Sequence, residues 1–86
     1  MAVDNRADEI DEHTVSLCAL PTGQSARIVH IDAHDNHRLM KLAALGMVPG
    51  STVYLQQRVP AYVVRVGETM LTFDSAVARD ILVQVT

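Results

Sequence analysis

The sequence predicts a small, mainly β domain: a strongly bent sheet or partly closed barrel of about five strands with one inserted helix. Short apolar stretches, alternating or β-branched, recur along the chain between turns that contain Pro or Gly. One segment, residues 37–45, has helical periodicity without Gly or Pro. With 86 residues, the chain has room for one domain and a single small core.

The first thirteen residues differ in charge from the rest of the chain. Their charged residues are five acids and one base: Asp4, Asp8, Glu9, Asp11, Glu12 and Arg6. Five acids and one base give −4, so residues 14–86 carry +1 of the total net charge of −3. We expect residues 1–13 to form a disordered acidic tail and residues 14–86 to form the domain.

The first elements after this tail are a helical turn and a strand. Residues 15–20 are apolar and are followed by Pro21 and Gly23, which is consistent with one turn of helix. Residues 26–31, with the sequence ARIVHI, are rich in β-branched side chains and are predicted to form a strand. Residues 32–36 have the composition of a turn.

The principal helix is predicted at residues 37–45. Leu39, Leu42 and Leu45 recur every three residues and form one apolar face. An amphipathic face of this kind usually packs against a core. We therefore expect all three leucines to be core residues.

Residues with special backbone preferences lie at both ends of this helix. Asp35 or Asn36 can cap its first turn. Gly46 follows the last periodic position and suits a left-handed C-terminal cap. Pro49 and Gly50 then predict a turn.

The rest of the chain is predicted to be β structure with one short helical piece. Further strands are predicted at residues 52–56, 62–66, 70–73 and 81–85. Pro60 marks a break, and residues 67–69 have the composition of a hairpin loop. Asp74 and Ser75 can cap a short C-terminal helical turn at residues 76–80.

Composition argues against several classes of partner. The chain has two Tyr, one Phe and no Trp, too few rings for an aromatic groove that binds proline-rich peptides. The same scarcity argues against a stacking platform for single-stranded nucleic acid. A net charge of −3 also disfavours phosphate binding, so we expect no nucleic-acid partner.

The sequence also lacks the motifs of common catalytic sites. Residues 46–51 contain glycines but neither the spacing nor the Lys of a phosphate-binding loop. There is no G-x-S-x-G elbow and no CxxC motif. We expect no enzymatic activity and no cofactor.

The N-terminal sequence does not resemble a signal peptide, because it is acidic where a signal would be basic and then apolar. No stretch approaches the ~18 apolar residues of a membrane span. We therefore expect a cytoplasmic protein without direct membrane insertion.

Three histidines are the only candidate metal ligands. His30, His34 and His37 lie within eight positions, and imidazole suits transition metals. Their H-x3-H-x2-H spacing crosses a strand end, a turn and a helix start, which matches no closed metal site. We expect no physiological metal ion here and keep these residues only as weak candidates.

Met47 and Val48 follow the helix cap and allow two interpretations. Apolar side chains in such a turn can stay half exposed and form a docking patch for a partner. Alternatively, Met47 closes one end of the core. Periodicity alone does not distinguish these alternatives.

The segment from Lys41 to Ser51, KLAALGMVPGS, resembles the central motif of the FeoA family, ferrous iron transport protein A. That motif is a helix that ends in Leu-Gly-Met or Leu-Gly-Leu and is followed by a variable residue and Pro-Gly. The resemblance extends over residues 15–86. Further matching positions are Leu17, Leu20, Gly23, Ala26, Ile31, Val53, Val64, Gly67, Leu71, Ala78, Ile81 and Val83.

This resemblance implies an SH3-like β-barrel that acts as a cytosolic accessory or regulatory protein in bacterial ferrous iron uptake. The implied partner is FeoB, a membrane permease with a cytoplasmic GTP-binding domain. We expect the turn after the helix and its neighbouring cleft to contact this partner. The expected contact residues are Lys41, Leu45, Gly46, Met47, Val48, Pro49 and Gly50.

An alternative is a metal-responsive module. The same barrel occurs as the C-terminal domain of iron- and manganese-dependent repressors, where it can lend ligands to a metal site. We expect no DNA binding by this chain alone, because no helix-turn-helix pattern is present in residues 1–13. Two features depart from the FeoA pattern: the loop at residues 58–61 is short, and the acidic tail has no counterpart.

Overall fold

The computed structural model describes residues 14–32 and 35–86, so the predicted tail at residues 1–13 lies outside the described residues. Its centre is a six-stranded antiparallel sheet with the strand order β1-β6-β2-β3-β4-β5. The strands are β1 (Thr14–Ser16), β2 (Ser25–Ile31), β3 (Thr52–Gln57), β4 (Tyr62–Val66), β5 (Thr69–Phe73) and β6 (Ile81–Val85). The mainly β prediction is confirmed.

The sheet differs from the prediction in strand number and in closure. β1 lies where only a helical turn was expected, and that turn follows it as a 3-10 helix at Leu17–Ala19. The Ser16 hydroxyl accepts a hydrogen bond from the Cys18 N–H at 3.1 Å and so starts this turn. β1 and β5 are the two edges of the sheet and do not pair with each other. The sheet is therefore bent but open, and the expectation of a barrel was too strong.

The core consists of buried aliphatic side chains and one phenylalanine on one side of this sheet. Its members are Leu17, Leu20, Ala26, Ile28, Ile31, Leu42, Met47, Val53, Leu55, Val64, Leu71, Phe73, Ala78, Ile81 and Val83. A register shift in β2 between Ile28 and His30 explains why Ile31 and not His30 is buried. Burial alternates along β3 and β5, as expected of strands with one face on the core.

Helix α1 (Asn36–Ala44) is inserted between β2 and β3. The carboxylate of Asp35 accepts a hydrogen bond from the His37 N–H at 2.9 Å, so Asp35 is the cap. Leu42 is the helix's only buried residue. Residues three apart are rotated by about 60° around a helix, so Leu39 and Leu45 flank Leu42 on either side. They are 36% and 40% exposed, and the prediction that all three are core residues is wrong for these two.

The C-terminal part contains a tight hairpin and a short helix. β4 and β5 are joined by the two-residue turn of Gly67 and Glu68, in which Gly67 has φ 61°. Helix α2 (Ser75–Arg79) begins at Asp74, whose carboxylate accepts from the Val77 N–H at 3.0 Å. The short helical turn predicted after Asp74 is confirmed.

Candidate functional site

The turn that follows α1 is held by a double hydrogen bond of the Schellman type. The Gly46 N–H donates to the Ala43 carbonyl at 3.0 Å, and the Met47 N–H donates to the Leu42 carbonyl at 2.9 Å. Gly46 adopts φ 93°, the left-handed conformation that this motif requires. The predicted left-handed cap is confirmed, and it fixes the direction in which the chain leaves the helix.

Three further hydrogen bonds fasten the Leu45–Gly50 turn to the sheet and to itself. The Gly50 N–H donates to the Ile28 carbonyl at 2.7 Å, and the Ile28 N–H donates to the Ser51 carbonyl at 2.8 Å. The Ser51 hydroxyl donates to the Gly46 carbonyl at 2.8 Å. The turn is therefore attached to the central strand β2 close to the register shift described above.

Six of the seven predicted contact residues are exposed, and one is buried. Leu45 and Val48 are 40% and 38% exposed, and Lys41, Gly46, Pro49 and Gly50 are exposed as well. Met47 is fully buried in the same core cluster as Leu42. An apolar residue two positions after the cap commonly packs against the last turn in a Schellman motif. Of the two interpretations of Met47, the structure supports the core residue.

A groove of about 390 Å³ lies beside this turn, between α1 and the end of β5; we call it the α1–β5 groove. Its apolar side chains come from the helix and from the two elements opposite. The lining residues are Asp35, His37, Arg38, Lys41, Leu42, Leu45, Thr72, Phe73 and Val77. The cleft expected next to the turn is thus present, and it contains Lys41 and Leu45 from the predicted contact set.

The charged residues of this groove lie on its helix wall. Arg38 is paired with Asp80 at 3.6 Å between guanidinium and carboxylate. The Asp35 carboxylate is occupied as the helix cap. Lys41, one turn before Leu45, forms no ion pair with the described residues. The Lys41 ammonium group can therefore pair with a carboxylate of a binding partner.

The residues on the other wall of the groove were missed from the sequence. Thr72 and Phe73 end β5, and Val77 lies in α2. They are about thirty positions from α1, and no local pattern marks them as its neighbours. Strand order alone brings them next to the helix.

The candidate metal ligands do not form a cluster in the described part of the chain. His30 is exposed on β2 and His37 is exposed in the first turn of α1, whereas His34 lies outside the described residues. Within residues 14–32 and 35–86, no three His, Cys, Asp or Glu side chains are arranged to hold a metal ion. The role of His34 stays a prediction.

Among the helices of residues 14–32 and 35–86, none combines the length and apolar character that crossing a membrane requires.

Solved structures with this fold include iron-uptake proteins and metal-dependent repressors. An iron uptake regulatory protein, FeoA, superposes with a TM-score of 0.75 at 23% identity over 85% of this chain and 97% of its own. FeoA from Stenotrophomonas maltophilia complexed with zinc, a prokaryotic SH3 domain protein, gives 0.72 at 24% identity over 81% and 89%. T. acidophilum IdeR gives 0.80 at 23% identity, but this chain spans only 36% of it. The SH3-like fold expected from the sequence is confirmed.

Comparison with family profiles identifies the family. No curated protein gives a significant match. A family profile for the FeoA domain matches residues 15–85, almost all of the described chain. The chain therefore belongs to the FeoA family, an accessory protein family of ferrous iron transport.

Proposed function

We propose that this protein is an accessory and regulatory component of bacterial ferrous iron uptake that binds the cytoplasmic GTP-binding part of the FeoB permease. Membership of the FeoA family supports a role in ferrous iron transport. The protein would act on the cytoplasmic side of the membrane and supply a binding surface without a catalytic step. Nucleotide hydrolysis would belong to the permease.

The observation that carries this proposal is the apolar surface of α1 and its following turn. Leu39, Met40, Leu45 and Val48 are 36–71% exposed, although they belong to one short helix–turn segment. Large apolar side chains that stay exposed together in one segment are typical of interaction sites. We infer that part of this surface is covered by the partner.

The hydrogen bonds of the turn also support a docking role. A surface that is ordered before binding loses less conformational entropy when the partner arrives. The Leu45–Gly50 turn is fixed by the Schellman motif and by its bonds to Ile28 and Ser51. Its exposed residues are therefore held in one arrangement.

Calorimetric titration with the purified cytoplasmic domain of the FeoB from the same genome tests this proposal. The variant Val48→Asp places a charge in the exposed patch, and we expect it to weaken binding at least tenfold. Val59→Asp is the matched control, because Val59 is 80% exposed in the β3–β4 loop, outside α1 and the turn that follows it. Equal binding by wild type and Val48→Asp, or no binding by wild type, would contradict the proposal.

A metal-responsive module is the second candidate, and the superposition with IdeR is the observation that favours it. The experiment is anaerobic titration with ferrous ion, comparing wild type with the double variant His34→Ala, His37→Ala. Saturable micromolar binding that this variant loses would support the candidate. Unsaturable binding, or binding that the variant retains, would remove it.

A further inference from the structure

The outer edge of β5 is an unpaired strand edge. Within residues 14–32 and 35–86, β5 is the last strand of the sheet and pairs only with β4. Among the described residues, no backbone hydrogen bond joins Thr69–Phe73 to an element on the other side. Proteins usually protect such an edge with charged residues, proline or a bulge, and the sequence TMLTF contains none of these.

The hairpin geometry fixes which backbone groups point to this open edge. The two-residue turn makes Val66 and Thr69 the first hydrogen-bonded pair, and such pairs alternate along an antiparallel ladder. The backbone N–H and C=O groups of Leu71 and Phe73 therefore point toward β4. Met70 and Thr72 direct their N–H and C=O groups outward.

The α1–β5 groove lies beside the C-terminal half of this edge. Thr72 and Phe73 belong to the groove, and Leu42 and Leu45 form its apolar part on the helix side. An extended chain at this edge would place alternate side chains toward the groove. One apolar side chain there would cover Leu45, which is 40% exposed.

We propose that the partner binds by β-strand addition: a segment of the FeoB cytoplasmic domain pairs as a strand with the outer edge of β5 and inserts an apolar side chain into the α1–β5 groove. A carboxylate on the same segment would pair with Lys41. In this mode main-chain hydrogen bonds provide affinity and side-chain pockets provide specificity. The inference rests on the proposed function and adds how the partner is recognised.

Charge favours a foreign segment over a second copy of this chain. Antiparallel pairing of β5 with its own copy over the whole strand places Glu68 of one chain opposite Asp74 of the other. Like charges directly opposite each other destabilise a strand pair. A foreign segment need not carry acids opposite Glu68 and Asp74, and a single carboxylate on it can pair with Lys41 at the groove.

The decisive variant is Thr72→Pro, with Thr72→Val as its matched control. Proline removes an outward N–H and leaves the bonds to β4 intact, whereas valine keeps that N–H and the side-chain shape. In titrations with the FeoB cytoplasmic domain, we expect Thr72→Pro to bind at least tenfold more weakly and Thr72→Val, which keeps the outward N–H, to lose far less affinity. Equal binding by wild type and a folded Thr72→Pro overturns strand addition but leaves the proposed function standing.

Amide hydrogen exchange of the wild-type protein gives a second test that does not depend on folding of a variant. We expect the Met70 and Thr72 amides to become protected when the FeoB domain is added. Binding without protection of these two amides overturns the inference, and no binding at all overturns the proposed function together with it. Lys41→Glu should also weaken binding more than Arg27→Glu, the control at an exposed position of β2. Equal effects of the two variants would contradict the pairing of Lys41 with a carboxylate of the partner.

Discussion

At the scale of single residues, neighbouring apolar side chains of the Leu45–Gly50 turn have different environments because of the backbone between them. The left-handed Gly46 reverses the chain, so that Met47 is fully buried while Leu45 and Val48 stay 38–40% exposed. Hydrophobicity alone does not separate these three residues. Their backbone positions relative to the cap do.

The first prediction concerns Met47. We expect Met47→Asp to abolish cooperative unfolding, because it buries an unpaired charge at a cost of several kcal/mol in a domain of modest stability. Circular dichroism during thermal unfolding measures this. Val48→Asp, one residue further along and exposed, should keep a cooperative transition. A folded Met47→Asp variant would show that this side chain leaves the core easily.

The second prediction concerns Gly46, whose backbone conformation rather than available space excludes a side chain. A Cβ at this position would meet Val66 Cγ1 at 3.6 Å, an ordinary contact, but φ is 93°. We expect Gly46→Ala to lower the free energy of unfolding by about 1–2 kcal/mol. Gly46→Asn should cost less, because Asn tolerates this region better. Urea unfolding gives both values, and the reverse order would contradict the argument.

At the scale of elements, α1 is attached to the sheet by few side-chain contacts. Leu42 is its one buried side chain, and the Arg38–Asp80 ion pair at 3.6 Å lies near the surface, where such pairs contribute about 0–1 kcal/mol. The turn after the helix fastens it to the sheet by backbone bonds. The helix can therefore keep its place while most of its surface remains available to a partner.

The third prediction follows from this attachment. Leu42→Ala should lower the free energy of unfolding by about 2–4 kcal/mol, since it removes buried methyl groups from the core. Leu39→Ala should cost less than about 1 kcal/mol, because Leu39 is already 36% exposed. Denaturant unfolding of the two variants measures the difference. Equal losses would mean that Leu39 packs as tightly as Leu42.

At the scale of the whole molecule, the core of the described residues spans nearly all of the stretch predicted to be the domain. Its members run from Leu17 to Val83, and the family profile covers residues 15–85. The charge of this stretch is +1, against −3 for the whole chain. The predicted boundary at residue 14 remains a prediction that one truncation can test.

The fourth prediction is that a chain of residues 14–86 folds on its own. Its thermal midpoint should stay within about 4 °C of the full chain, because a loss of 1 kcal/mol shifts a domain of this size by about 4–8 °C. Differential scanning calorimetry of both chains provides the comparison. A larger fall would show that residues 1–13 contribute to stability.

Local sequence patterns were sufficient for most elements. Short apolar stretches between turn residues predicted β3, β4, β5 and β6, and the caps Asp35, Asp74 and Gly46 were predicted from residue chemistry. The motif after the helix led to the family. These features depend on interactions within a few positions of the chain, which is why one sequence contains enough information for them.

Tertiary structure decided the features that depend on distant neighbours. β1 is only three residues long and exists because β6 pairs with it, so no local pattern separates it from the turn that follows. The burial of Leu42 but not Leu39 or Leu45 depends on which face of the helix packs against the distant residues of the core. The sequence by itself determined the fold class, the family and the helix–turn segment of the candidate site. The open sheet edge and the second wall of the groove were decided by tertiary structure, because strand order joins residues that are about thirty positions apart.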